Sequence, residues 1–130
     1  MSLSTIGQVA INARDITRAT AFYRDTLGLR FLFSAGTMSF FDCDGVRLML
    51  GVASAPEYDH PSSILYFKVA DITVTYATLS DRGVPFKGTP HLVARMPDHE
   101  LWMAFFDDTE GNTLALMSEV TAVRASSGSA

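Results

Sequence analysis

The feature that most constrains this chain is an internal repeat. Sliding the sequence 56 residues against itself places Asp15 on Asp71, Ile16 on Ile72, Thr17 on Thr73, Ala21 on Ala77 and Asp25 on Asp81. These five identities fall within eleven positions, each at the same point of a strand-to-helix unit, and imply two copies of one module. Two copies with so long a period argue against a solenoid. The whole chain has only 130 residues, so neither half is expected to stand alone.

Each copy reads as a strand, a helix and three further strands. In the first, an alternating strand over Ile6 to Asn12 leads to Asp15 or Thr17 as helix cap, and RATAFYRDTLG carries apolar residues at helical spacing, with Gly28 where a terminating glycine belongs. Strands follow over Leu29 to Ser34, Met38 to Asp42 and Val46 to Gly51. The Asp44-Gly45 pair between the last two is a hairpin signal. SAPEYDHPSS, with two prolines, is the natural linker. The second copy repeats the order: a strand over Ile64 to Val69, a helix in DITVTYATLSDRG, a strand near Pro85 and Phe86, HLVARM, and a hairpin of LWMAFF and TLALMS. Thr73, Val74, Thr75 and Thr78 are poor helix formers, and the repeat outweighs that propensity. The expected architecture is α+β, two βαβββ modules forming an open, barrel-like mixed sheet around a cavity. Module one spans 6–53 and module two 64–120 within a single domain, 1–122, and 123–130 is a tail.

Composition narrows the function. Hydrophobic residues make up 48% of the chain and charged residues 18%, which suits a packed core and not a disordered chain. The formal charge of -4, with Lys and Arg scattered singly, gives nothing to attract a nucleic-acid backbone. No signal peptide or membrane-spanning run is apparent. The single cysteine, Cys43, fits a reducing, cytoplasmic setting, and its neighbours Asp42 and Asp44 supply no base to make it a nucleophile.

The segments QVAINARDITRATAFYRDTLGLRF, ILYFKVADI and DDTEGNTLALM together resemble the vicinal oxygen chelate superfamily of glyoxalases, bleomycin resistance proteins and extradiol dioxygenases. The resemblance implies paired modules enclosing a cavity, often completed in a dimer. It also implies, in metal-dependent members, a histidine in the first strand of each module and a glutamate in the last. In this sequence the histidine positions are Gln8 and Ile64 and the glutamate positions Met49 and Ala115. An amide, a branched alkane, a thioether and a methyl group are not the donor set of a divalent ion, so no metal or other cofactor is expected.

Other residues could carry a function. His60 sits in the linker and reads as exposed. His91 and His99 flank the strand LVARM; along a straight strand they would lie about 25 Å apart at about 3.3 Å per residue. His99, beside Asp98 and Glu100, is either a turn histidine or a general base. Alternation puts His91, Val93 and Arg95 on one face, so Arg95 either anchors an anionic substrate group or forms a salt bridge at the sheet edge. Trp102 shares a face with Ala104 and Phe106, opposite Leu101, Met103 and Phe105; with Tyr66 it could line an aromatic pocket or belong to ordinary core. Gln8 and Asn12 share a face and could meet a ligand's carbonyl or hydroxyl. Gly111 and Asn112 read as the turn that launches the last strand.

Three functions remain open: a protein binding a small organic molecule in a metal-free cavity, a metal-independent isomerase or lyase using His99 or His91, or an accessory dimer with a closed cavity. The expected ligand-binding residues are Gln8, Asn12, Met49, Ile64, Tyr66, Arg95, Trp102 and Ala115. The expected partners are a small organic ligand and a second copy of the chain, with no membrane.

Overall fold

The computed structural model describes residues 3–121, and the tail expected at 123–130 lies outside them. The chain forms two compact units. Among the described residues one takes in 3–63 with Asp108–Asn112, the other Ile64–Asp107 with 113–121.

In the first unit, β1 (Gln8–Ala13) leads to α1 (Ile16–Ala21), a π-helical turn at Phe22–Thr26, β2 (Arg30–Ala35), β3 (Met38–Cys43) and β4 (Val46–Val52). The sheet order is β1-β4-β3-β2, with β1 parallel to β4 and the other pairs antiparallel. Asp15 is the helix cap, its carboxylate accepting from Arg18 N at 3.1 Å, and Gly28 takes a positive φ of 78° after the helical segment ends. The helix does not stay α-helical through RDTLG. Leu27 N reaches back five residues to Phe22 O at 2.9 Å. The wider turn accommodates Phe22 and Tyr23 on the buried side, and Tyr23 is wholly enclosed. At Asp44-Gly45 both residues adopt positive φ, 53° and 95°, the turn geometry whose twist matches a two-residue hairpin.

The second unit repeats this topology. β5 (Leu65–Lys68), α2 (Ile72–Asp81), β6 (His91–Arg95), β7 (His99–Asp107) and β8 (Thr113–Thr121) give the order β5-β8-β7-β6, with β5 parallel to β8. The β-branched stretch is helical because Asp71, the repeat partner of Asp15, caps it: its carboxylate accepts from Thr73 N at 3.0 Å and Val74 N at 3.1 Å. The strand expected near Pro85 and Phe86 is only a single bridge, Phe86 opposite Phe106. Pro85 brings no N–H to a ladder, so pairing stops at Lys87 N to Phe105 O and Asp107 N to Pro85 O.

Each sheet buries the face under its own helix. In the first unit that face carries Ile11, Ala13, Phe41, Leu48 and Leu50; in the second, Ala104, Phe106, Leu114 and Leu116 with Ile72 and Leu79 of the helix. Burying each large apolar side chain contributes about 1.5–3 kcal/mol.

Residues 108–112, between β7 and β8 in sequence, complete the first unit. Asp108 accepts from Glu110 N, Asn112 N and Asn112 Nδ2, each at 2.8 Å, and from the Tyr23 hydroxyl at 2.6 Å. Burial, the Asp108 charge and that hydrogen bond push the Tyr23 phenol well above its ordinary pKa. The Glu110 side chain is fully buried. It accepts from Arg14 N at 2.7 Å, Asp15 N at 2.8 Å and the Arg18 guanidinium at 2.8 and 3.1 Å. Burial alone would raise its pKa, but these bonds and one from Thr109 outweigh burial and hold the carboxyl at about 2.

Glu110→Gln is therefore expected to lower unfolding free energy by about 2 kcal/mol at neutral pH, because charge-assisted bonds are lost while the N–H groups stay covered. The folded carboxyl lies below its ordinary 4.5, so its contribution is fully present above that value and fades as pH falls towards 2. Urea titrations of both proteins between pH 7 and 2.5 should show their stabilities converging on the acid side; a constant gap would exclude this account.

Candidate functional site

Strand register decides which side chains share the face of each sheet that its own helix leaves open. In the first unit Ala10 is opposite Met49, and Phe40 is opposite Met49 from the other side, while Gln8, Asn12, Met38 and Gly51 occupy alternate positions on the same face. Gln8 Nε2 lies 3.8 Å from Met49 Sδ. Met49 and Met38 both lean over Gly51, where an added Cβ would meet Met49 Cε at 3.6 Å and Met38 Cγ at 3.8 Å. Phe33 stacks on Phe40 at 4.5 Å between ring centroids.

The proline-bounded linker lies along this face. Asn12 N donates to Ser62 Oγ at 2.7 Å, and Asn12 Nδ2 donates to Asp59 at 3.0 Å. Asp59 also receives Arg14 Nε at 3.2 Å. The Asn12 and Arg14 bonds hold its carboxyl below the usual range. Between linker and sheet is a cavity of about 520 Å³ whose walls include Asn12, Met38, Met49, Tyr58, His60 and Ser62. Of these, the sequence pointed to Asn12 and Met49. Tyr58 and Ser62 carry only a linker signal in the sequence, since composition marks a connection without saying what it covers.

In the second unit Tyr66 is opposite Ala115, which is opposite Phe105. Tyr66 meets Phe105 edge-on at 5.9 Å, and the His91 ring stacks on Phe105 at 6.3 Å. Farther along the same face His99 Nδ1 is 2.7 Å from Asp98 and Nε2 is 4.0 Å from Glu119, which also pairs with Lys68 at 3.0 Å. The His99 bond lowers the Asp98 pKa. Ile64 precedes β5 and is exposed.

Two expectations about β6 need correction. Ladder register shifts between Leu92 and Ala94, so His91 is opposite Met103 whereas Arg95 is opposite Glu100. Residues 103 and 100 lie on opposite faces of β7, and the extra residue of the bulge, Val93, breaks simple alternation. His91 and Arg95 therefore do not converge. Arg95 pairs with Glu100 at 3.5 Å on the edge strand. Nor do His91 and His99 lie at the ends of a straight run: the chain reverses with Met96 N bonded to His99 O at 2.7 Å, which leaves four residues of strand, about 13 Å, between His99 and the partner of His91. Trp102 is likewise separated from Tyr66, because it shares the helix-side face with Ala104 and Phe106. Cys43 is half-buried, and burial followed by the Asp42 charge raises its thiol pKa, which opposes nucleophilic use.

Comparison with known proteins fits this arrangement. The sequence matches the Glyoxalase/Bleomycin resistance protein/Dioxygenase superfamily over residues 5–116. The chain belongs to that superfamily. No curated protein matches it. Among solved structures, a superfamily member from Sphaerobacter thermophilus DSM 20745 is 25% identical with a TM-score of 0.72, covering 90% of this chain and 98% of its own. A lactoylglutathione lyase from Agrobacterium tumefaciens is 22% identical, TM-score 0.72, with coverage of 91% and 96%. TnmS3, an antibiotic binding protein from Streptomyces sp. CB03234, is 23% identical, TM-score 0.70, with coverage of 92% and 98%.

Metal-dependent members of the superfamily set a donor test that this chain does not meet. At the four corresponding positions stand Gln8, Met49, Ile64 and Ala115, and among the described residues no group of three or more His, Cys, Asp or Glu side chains gathers to hold an ion. Neutral amide and thioether groups bind Zn, Mn, Ni or Mg weakly beside imidazole and carboxylate. Native mass spectrometry in buffer supplemented with these ions, without chelator, should show no stoichiometric divalent adduct. One ion per chain, lost on Met49→Ala, would refute the donor argument.

Proposed function

We propose that this superfamily member binds a small, partly aromatic organic molecule on the open face of the first unit without a metal ion. The cavity of about 520 Å³ beneath the linker carries the reading. Its size suits a small-molecule site, its floor combines two thioethers with Phe40 nearby, and its rim offers Asn12, Tyr58, His60 and Ser62 as a few polar groups. Thioether sulfur contacts aromatic rings favourably, and unbranched methionine adapts to their outline. Asn12 can orient a carbonyl or hydroxyl, while Gln8 lies beside Met49 to do the same. In the second unit Tyr66 and Ile64 are exposed and would offer apolar contact on that unit's own open face, whereas Ala115, expected among the ligand-binding residues, is fully buried.

The remaining parts of the reading rest on general properties. Among the described residues no helix is long and apolar enough to cross a membrane. The acidic balance disfavours nucleic acid as a partner, and a lone, unpaired cysteine suits the cytoplasm. The homodimer reading draws on large apolar side chains left exposed on strands, including Phe33 at 47% and Tyr66 at 45%, which a partner surface would cover.

A neutral bicyclic probe, 2-naphthol, followed by its own fluorescence, should bind saturably with one site per chain. Met49→Ala should weaken it about tenfold, the equivalent of about 1.4 kcal/mol, with circular dichroism unchanged. Non-saturable uptake, or equal affinity in the variant, would remove the cavity from consideration. Light scattering across the micromolar range should give the mass of two chains; a single species at monomer mass would refute the dimer.

A further inference from the structure

A second cavity lies in the second unit, on the helix side of its sheet, where nothing in the reading above places a ligand. It measures about 580 Å³ and runs between the start of α2 and the ends of β7 and β8, with Asp71, Tyr76, Glu100, Trp102, Ser118 and Val120 among its walls. Its residues differ in kind from those around Met49. Two aromatic rings and two carboxylates meet here on an otherwise apolar and hydroxyl-lined surface.

The carboxylates are held in place. Glu100 Oε1 accepts from Trp102 Nε1 at 3.3 Å, which ties the carboxylate to the indole edge and keeps both at one wall. Its other oxygen is 3.5 Å from Arg95 Nε, and that arginine side chain is 73% exposed. Asp71 is fixed by capping α2 through Oδ1. Tyr76 is braced by Phe86, ring centroids 4.6 Å apart. Ser118 is fully buried and its hydroxyl is already spent on Ala70 O at 3.3 Å, so it adds volume and no competing recognition. Counting Asp71, Glu100 and Arg95, the cavity carries a net charge of -1.

The first unit shows what the same place looks like without these features. There a cavity of about 310 Å³ is lined by Ile16, Thr17 and Thr20, the repeat partners of Ile72, Thr73 and Tyr76. Thr20 Oγ1 closes onto Ser39 Oγ at 2.7 Å and Ile16 O at 2.6 Å. The topology thus leaves a recess in both units, and only the second furnishes it with aromatic faces and carboxylates.

From this juxtaposition we infer that the second-unit recess binds an organic ammonium cation carrying an apolar or aromatic body. The rings supply quadrupole attraction and apolar contact, and Glu100 and Asp71 supply the counter-charge. An anion would meet both carboxylates, and a neutral molecule would gain only the apolar part. The site lies in a different unit from Met49 and does not rest on the function proposed above.

Trp102 is the chain's single tryptophan, so emission excited beyond the tyrosine absorption band reports on this recess. Titration with benzyltrimethylammonium should change that emission saturably. Benzyl alcohol should bind at least about tenfold more weakly, a difference of about 1.4 kcal/mol, and phenylacetate should leave emission unchanged. Glu100→Gln, which retains an acceptor for the indole N–H, should raise the dissociation constant of the cation about tenfold. Asp71→Asn preserves the helix cap and should raise it by a smaller factor; this variant decides the matter if Glu100→Gln loses its native circular dichroism. A linear response to the cation, equal affinity for cation and alcohol, or an unchanged constant in the folded variants would overturn the assignment.

Discussion

The Glu110 carboxylate is the interaction on which the first unit most depends. Three elements meet at it: the end of β1 through Arg14 N, the cap of α1 through Asp15 N, and the first turn of that helix through the Arg18 guanidinium. A buried carboxylate without partners would be costly, so this one carries its own requirement that β1 end and α1 begin where they do. Asp108 and Asn112 extend the constraint. Asn112 Nδ2 donates to Asn12 O while its Oδ1 accepts from Ser62 N at 3.0 Å, which sets the linker against β1. The cavity beside Asn12 and Met49 thus depends on polar groups that never face it.

The substitutions at the family's metal positions change what that face can recognise. Imidazole and carboxylate would bring charge and a demand for a cation. Gln8 and Met49 bring a neutral amide and a polarisable thioether that satisfy each other at 3.8 Å. Such a surface has little to offer a hard ion and more to offer a flat organic molecule, because dispersion and sulfur–aromatic contact need no charge. The fold supplies the concavity and the residues decide its chemistry, which is why similarity to a lyase and to an antibiotic binding protein is similarity of architecture.

Much of the architecture was legible because it is written in local signals that repeat. Asp15 and Asp71 cap their helices, Asp44-Gly45 turns its hairpin, and the shared order of strands gives both sheets one topology. The β-branched start of α2 would have misled propensity alone, and its repeat partner resolved it. The sequence was less informative wherever one residue changes a count. The bulge at Val93 reverses the face of Arg95 relative to His91, and alternation, which assumes two residues per repeat, has no means of anticipating it. The π-helical turn at Phe22–Thr26 is the helical form of the same problem. Glu110 was missed because an acidic residue beside glycine in a turn reads as solvated; only the folded chain shows five backbone and side-chain donors aimed at it.

The candidate site shows the same division. Gln8 and Asn12 share one face, as their spacing implies, because β1 is regular, and Met49 falls on that face because the β1–β4 register is unbroken. Alternation places Trp102 with Ala104 and Phe106, as the structure has it, but does not say which of the strand's two faces Tyr66 shares: in β7 the even residues, Glu100 to Phe106, turn towards α2, and the odd residues, Leu101 to Phe105, turn away towards Tyr66. An aromatic count treats these rings as one reservoir, whereas a sheet divides them strictly between two sides. The division places the indole edge beside Glu100, and a ring that would have been one more apolar contact on the open face becomes half of a charged recess under the helix.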